Sequence, residues 1–91
     1  MTLAVWSVEF DADARKSFAA LGMPVQQRIA KFVAERLAKT NVPEKLGKAL
    51  SGRLAGYWRF RVGDYRLIGR LEKNRFVILI VAVAHRSVVY R

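Results

Sequence analysis

The sequence predicts an α+β domain in the order β-α-α-β-β-β, with an N-terminal helical hairpin packed on one face of a small, mostly antiparallel four-stranded sheet. Three patterns carry that expectation. Apolar and polar residues alternate at the start of the chain and again over residues 57–70, as strands with one buried face do. Between 11 and 39 the apolar residues recur every three to four positions, the period of amphipathic helices. The run Phe76 to Ala84 is continuously apolar, yet far short of the roughly 20 residues a spanning helix needs, so it reads as a strand buried on both faces.

The elements follow in order. Thr2 to Phe10 is the first strand, with Trp6, Val8 and Phe10 on one face and Ser7 and Glu9 on the other. Asp11 is placed to cap a helix carrying Ala14, Phe18 and Leu21, and Gly22 to end it as the residue after the C-cap. Pro24 suits the first turn of a second helix, with Val25, Ile29, Phe32, Val33 and Leu37 as its apolar stripe. Its wet face carries Arg28, Lys31, Glu35, Arg36 and Lys39. Residues 40–55 hold Asn41, Pro43, Gly47, Ser51 and Gly52, too many breakers for a long element, and read as a connection with one helical turn around Glu44 to Leu50.

Residues 57–70 read as a β-hairpin. Trp58, Phe60 and Val62 share one face with Tyr65 and Leu67, while Tyr57, Arg59 and Arg61 share the other with Arg66, Ile68 and Arg70. Gly63-Asp64 supplies the turn, because primed hairpin turns need a positive φ that glycine adopts freely. Trp58 is assigned to the core by its parity with Phe60. A turn near Lys73-Asn74 leads into the apolar strand, and His85 and Arg86 leave its end.

With 91 residues, 53% of them hydrophobic, the chain is one globular domain, residues 1–91. It has no cysteine and one histidine, so thiolate chemistry is excluded, a metal site is not expected and no cofactor is implied. The first residues lack the basic segment of a secretory leader, which predicts a cytoplasmic protein with no membrane segment. The net charge is +10, divided into +2 over residues 1–45 and +8 over residues 46–91, and arginine outnumbers lysine eleven to six. Guanidiniums on one strand face bind phosphate in bidentate fashion, so the basic half points to nucleic acid. Lys48 and Arg53 in the connection, with Tyr57 and Arg70 beside the arginines, are the further candidates for RNA binding.

The combination Val8-Glu9-Phe10, Ala14, Gly47-Lys48-Ala49-Leu50-Ser51-Gly52, Tyr57-Trp58-Arg59-Phe60-Arg61-Val62-Gly63-Asp64-Tyr65-Arg66, His85-Arg86 and Val89-Tyr90 resembles the RelE/ParE toxin superfamily. Within it, the RelE-type branch is the nearer. The resemblance implies the RelE-like microbial RNase fold and a toxin of a type II toxin–antitoxin pair. Such a toxin is a ribosome-dependent endoribonuclease, or mRNA interferase, that enters the ribosomal A site and cleaves messenger RNA there by attack of the 2′-hydroxyl, without metal. It also implies a cognate acidic, RelB-like antitoxin and contact with operator DNA only through that antitoxin. The site residues it marks are Arg59, Arg61, Arg66, His85, Arg86 and Tyr90.

In-line attack needs a proton acceptor, cations for the extra charge on the phosphate and a proton for the departing oxygen. Arg59, Arg61, Arg66 and Arg86 meet the second need, because fixed guanidiniums stabilise charge that develops in the transition state. They cannot meet the first, since arginine does not deprotonate in proteins. The best-known family pattern has lysines where this chain has Arg59 and Arg61, so the base is left open. His85 and Tyr90 are proton carriers in reach of the motif, and Asp64 and Glu72 are weaker ones. This equipment predicts slow or absent cleavage of free RNA. The competing function on the same scaffold is a ParE-like DNA gyrase poison without nuclease activity, and a third is a noncatalytic RNA- or ribosome-binding module.

Overall fold

Why these residues fold as they do is visible first at the helices. The computed structural model describes residues 5–87, so Thr2 to Ala4 of the expected first strand, and Val89, Tyr90 and Arg91, lie outside the described residues. Val5 and Trp6, also expected in that strand, are described but lie before it, and β1 spans Ser7–Phe10. Asp11 then caps α1 (Ala12–Ala19), its Oδ1 accepting from the Ala14 amide at 2.8 Å. This helix ends before the position expected from Gly22. The Gln26 side chain donates to the carbonyl oxygens of Ala19 and Leu21 at 3.2 and 2.8 Å, meeting acceptors that a left-handed glycine motif would otherwise satisfy. Gly22 instead precedes α2 (Met23–Glu35) as its N-cap, and Pro24 lies in the first turn as anticipated.

Leu37 continues the apolar stripe of α2 but from a 3-10 turn, Leu37–Lys39, and is fully buried. The connection departs from its sequence reading. A 3-10 turn spans Pro43–Leu46, and Lys48–Ala49 then forms a short strand, β2, where a helical turn over 44–50 was expected. Gly47 causes the change: a Cβ there would come within 2.7 Å of the buried Phe60 ring and 3.0 Å of the Arg59 carbonyl, so glycine alone lets the chain close onto its neighbour.

That neighbour is β3 (Tyr57–Val62), which pairs antiparallel with β2 through Lys48–Arg59 and Ala49–Trp58. The predicted hairpin follows: β3 pairs with β4 (Tyr65–Glu72), Arg61 opposite Arg66 and Val62 opposite Tyr65, around Gly63 at φ 58°. The turn at 73–76 closes with Phe76 at φ 53°, which removes that residue from the strand assigned to it, and β5 runs Val77–His85. Phe76 is exposed and sets its ring edge-on to Trp6 at 5.6 Å between centroids.

The sheet therefore has five strands, not four, in the order β1-β5-β4-β3-β2. All pairings are antiparallel except β1 with β5, where Ser7 faces Val77 and Phe10 faces Ile80. The apolar β5 lies inside the sheet, as its composition requires. Opposite Ile68–Gly69 it bulges. The shift puts Ile78, Ile80 and Val83 on the core side and leaves Ala82 and Ala84, small residues, beside Ile68 and Arg66.

Both helices cover one face. Trp6, Ala14, Ile29, Leu37, Phe60, Leu67, Ile78 and Ile80 form the core there, with Trp58 half-buried against it. The opposite face has no helix among the described elements. Among the described residues no helix is long and apolar enough to cross a membrane.

Candidate active site

The register decides which candidates meet. Arg59 and Arg61 alternate with the buried Phe60 and Val62, so they point away from the helices, and the direct partner of Arg61 is Arg66. Arg66 in turn pairs with Ala84, whose methyl is too short to fill the space beside it. Arg86, two residues on, reaches the hairpin tip: its amide donates to the Asp64 carbonyl at 2.7 Å and its Nε lies 3.7 Å from Asp64 Oδ1. Arg61, Arg66 and Arg86 thus gather at one end of the open face with Asp64 as the adjacent carboxylate. Directly opposed like charges on a sheet repel, and such an arrangement is relieved by an anion between them.

Arg59 is next along β3, and across from it stands Lys48 on β2. Sequence reasoning ranked Lys48 with loop residues, because a two-residue strand shows no alternation. The structure makes it the amine on the arginine face. Tyr57 pairs with Arg70 further along the same face, away from the hairpin tip. Arg70 is engaged by Glu72 at 3.2 Å, and Glu72 also receives Arg75 at 2.6 Å, so Glu72 is committed to an ion network and not available as a base. Arg53 is exposed on the 3-10 turn Gly52–Leu54 between β2 and β3.

His85 takes the other side. It pairs with Tyr65, which shares the parity of Leu67, and the two rings meet edge-to-face at 5.3 Å. Its Nδ1 accepts the Ser87 amide hydrogen at 3.2 Å and lies 2.9 Å from the Ser87 hydroxyl. A backbone amide can only donate, so the neutral ring carries its proton on Nε2. Tyr90 lies outside the described residues.

Among the described residues, Lys48, Arg59, Arg61 and Arg66 have no carboxylate within 4.0 Å, whereas Arg70, Lys73 and Arg86 each have one and Arg75 has two, Glu9 and Glu72. These four stand on the open face beside Arg70 and Arg86, which are paired. Their charge is uncompensated by any carboxylate within that distance and faces outward.

This architecture is that of the toxins in toxin–antitoxin assemblies. The chain superposes on the toxin–antitoxin complex RelBE2 from Mycobacterium tuberculosis with a TM-score of 0.84 and 28% identity, covering 96% of this chain and 98% of that one. It shares its fold with the archaeal RelE–RelB complex from Pyrococcus horikoshii, at a TM-score of 0.70, 23% identity and coverage of 94% and 100%. The intact E. coli RelBE complex gives 0.68, 19% identity and coverage of 94% and 99%. Toxin RelG of Mycobacterium tuberculosis is 30% identical over 86 residues, 94% of this chain and 97% of the relative. The family described as ParE toxin of type II toxin-antitoxin system, parDE, matches residues 5–90. The chain belongs to that family, within the RelE/ParE superfamily of type II toxins.

Proposed function

We propose that this toxin is a ribosome-dependent endoribonuclease that cuts messenger RNA in the A site by attack of a 2′-hydroxyl on the adjacent phosphate. The observation that carries the reading is the convergence of Arg61, Arg66 and Arg86 at one end of an open sheet face. Three guanidiniums, two on paired strands and one from the turn after β5 that is tied to Asp64, match a phosphate that gains charge as it becomes pentacoordinate. The scissile phosphate sits among them, and Asp64 holds Arg86 in place until it arrives.

Lys48 is the proton acceptor in this reading, because an amine can release its proton where a guanidinium cannot. It stands opposite Arg59 on the open face. His85, with its proton on Nε2 and its ring turned toward Tyr65, acts as a hydrogen-bond donor at the rim and not as the base. Tyr57 and Arg70 extend the face for flanking nucleotides. The ribosome supplies the alignment that so sparse an acid–base set lacks. A cognate acidic antitoxin, RelB-like as in the complexes above, neutralises the toxin in the cytoplasm and carries the pair to operator DNA.

The test is a translation assay with purified ribosomes and a defined message. Wild type should yield cuts within the A-site codon, with Arg66→Ala and Lys48→Met each slower by about 10²–10³, the range for removing one charge-stabilising or proton-transferring group. Lys48→Met at the wild-type rate would remove Lys48 from the mechanism. A second reading is favoured by the ParE family match over residues 5–90: a poison of DNA gyrase. It predicts double-strand DNA breaks with intact messenger RNA after induction, and no ribosome-dependent cutting.

A further inference from the structure

We propose that a groove between α2 and the tip of the β3–β4 hairpin is a second RNA-backbone site, which continues the arginine face around the hairpin. It rests on the RNA reading of the open face. The groove, about 380 Å³, is lined by Arg28, Lys31, Phe32 and Glu35 from α2, by Arg36 at its C-cap, and by Arg61, Val62 and Gly63 from the hairpin. The four α2 residues are spaced i, i+3, i+4 and i+7, one stripe of the helix, and Arg36 follows at its end. From Arg28 to Arg36 the stripe runs about 12 Å at the helical rise of 1.5 Å per residue, long enough for more than one phosphate.

The hairpin tip joins the two regions. A Cβ on Gly63 would lie 3.3 Å from Arg28 Nη1 and 3.6 Å from its Cδ, so the Arg28 side chain rests on the bare glycine. On the same residue Arg61 Nε approaches the Gly63 carbonyl at 3.5 Å. Two guanidiniums, one from α2 and one from the open face, therefore meet over one turn. Among the described residues Arg28, Lys31, Arg36 and Arg61 have no carboxylate within 4.0 Å.

The lining also selects the partner. Four cations against one carboxylate suit a polyanion. Glu35 would oppose the side chains of an acidic peptide, whereas the 2′-hydroxyl of RNA is a donor that a carboxylate accepts. Half-buried Phe32 in the lining offers an apolar surface that a sugar or base can cover.

The experiment measures binding of 5′-labelled single-stranded RNA by anisotropy across a salt series, with RNA integrity checked on a gel. Oligomers of about 4 and about 12 nucleotides bracket the span of a small single-strand site. R28Q/K31Q/R36Q is compared with K16Q/K39Q/K45Q, which loses the same formal charge at exposed positions outside the groove. The groove variant should bind the longer RNA at least ten-fold more weakly, with the slope of log affinity against log salt reduced by about 2, given about 0.7 per phosphate contact on a single strand. The shorter RNA should bind both variants alike. Equal losses in the two variants would overturn the proposal in favour of a diffuse field. Weaker binding of an acidic antitoxin peptide with RNA binding unchanged would overturn it in favour of a protein surface. Ribosome-dependent cutting is assayed in parallel with wild type, so loss of the nuclease reading and loss of the groove register separately.

Discussion

Gly47→Ala tests whether close approach at one residue builds both the fifth strand and the site on it. The added Cβ would lie 2.7 and 2.8 Å from Phe60 Cε1 and Cδ1 and 3.0 Å from the Arg59 carbonyl. Real Cβ atoms do not tolerate the first two, and the ring cannot step aside because Phe60 is fully buried. The strand must move instead. Overpacking of this kind costs about 1–3 kcal/mol, and with an unfolding entropy of about 0.19 kcal/mol per degree for a domain of this size, Tm should fall by about 5–15 °C. Lys48 is the next residue, so its pairing with Arg59 should loosen and cleavage should drop in the folded protein well below the unfolding temperature. Gly56→Ala is the comparison: its φ of 94° is unfavourable for alanine but nothing lies within 4 Å of the added atom, so it should cost about 1 kcal/mol and leave cleavage intact. Calorimetry and the ribosome assay read both. A Gly47→Ala protein with unchanged Tm and activity would refute the packing account of β2.

Asp11→Ala should lower stability by about 1 kcal/mol, the usual contribution of an N-cap, read as a shift of about 5 °C in thermal melting with activity retained. Arg86→Ala should behave in the opposite way. Its ion pair with Asp64 is 3.7 Å long and both side chains are more than half exposed, so melting should move by less than about 1 kcal/mol equivalent, while ribosome-dependent cleavage falls by about 10²-fold. Phe60→Ala should cost about 3–5 kcal/mol, because its side chain is fully buried at the centre of the core, and urea titration should show a strongly reduced midpoint. A Phe60→Ala protein as stable as wild type would mean that the core is not assembled around that ring.

What the sequence made legible was whatever repeats over several residues. The alternation from Trp58 to Leu67 placed Arg59, Arg61 and Arg66 on one side, and the register agrees, with Arg61 opposite Arg66. The stripe from Val25 to Leu37 placed α2, although the last of these residues lies beyond the helix in a 3-10 turn. What escaped were features decided by single contacts. Gln26 ends α1 by reaching back across a loop, and no local pattern announces that. Lys48–Ala49 is too short to alternate, so its strand is visible only once Gly47 is seen against Phe60. Phe76 looked like the first residue of an apolar strand because its left-handed backbone leaves no trace in composition. His85 was named with the arginines through the resemblance, which carries no facing; a strand alternates, and its ring lies toward Tyr65 on the other side from Arg66.

The parallel pairing of β1 with β5 fixes the order in which this molecule can be completed. β1 is made first, yet its partner, Val77 to Ile80, is made near the end, and β5 must enter between β1 and β4. Until then Trp6, Val8 and Phe10 have no strand beside them, and β4 presents a bare edge on that side. Contacts so distant in sequence form late and slowly. A chain interrupted before residue 77 lacks the strand that supplies Ile78, Ile80 and Val83 to the core, so its core is left incomplete. Closure of the core is thereby the last event, because the hairpin that carries Arg59, Arg61 and Arg66 is made earlier and waits for the last described strand to be translated.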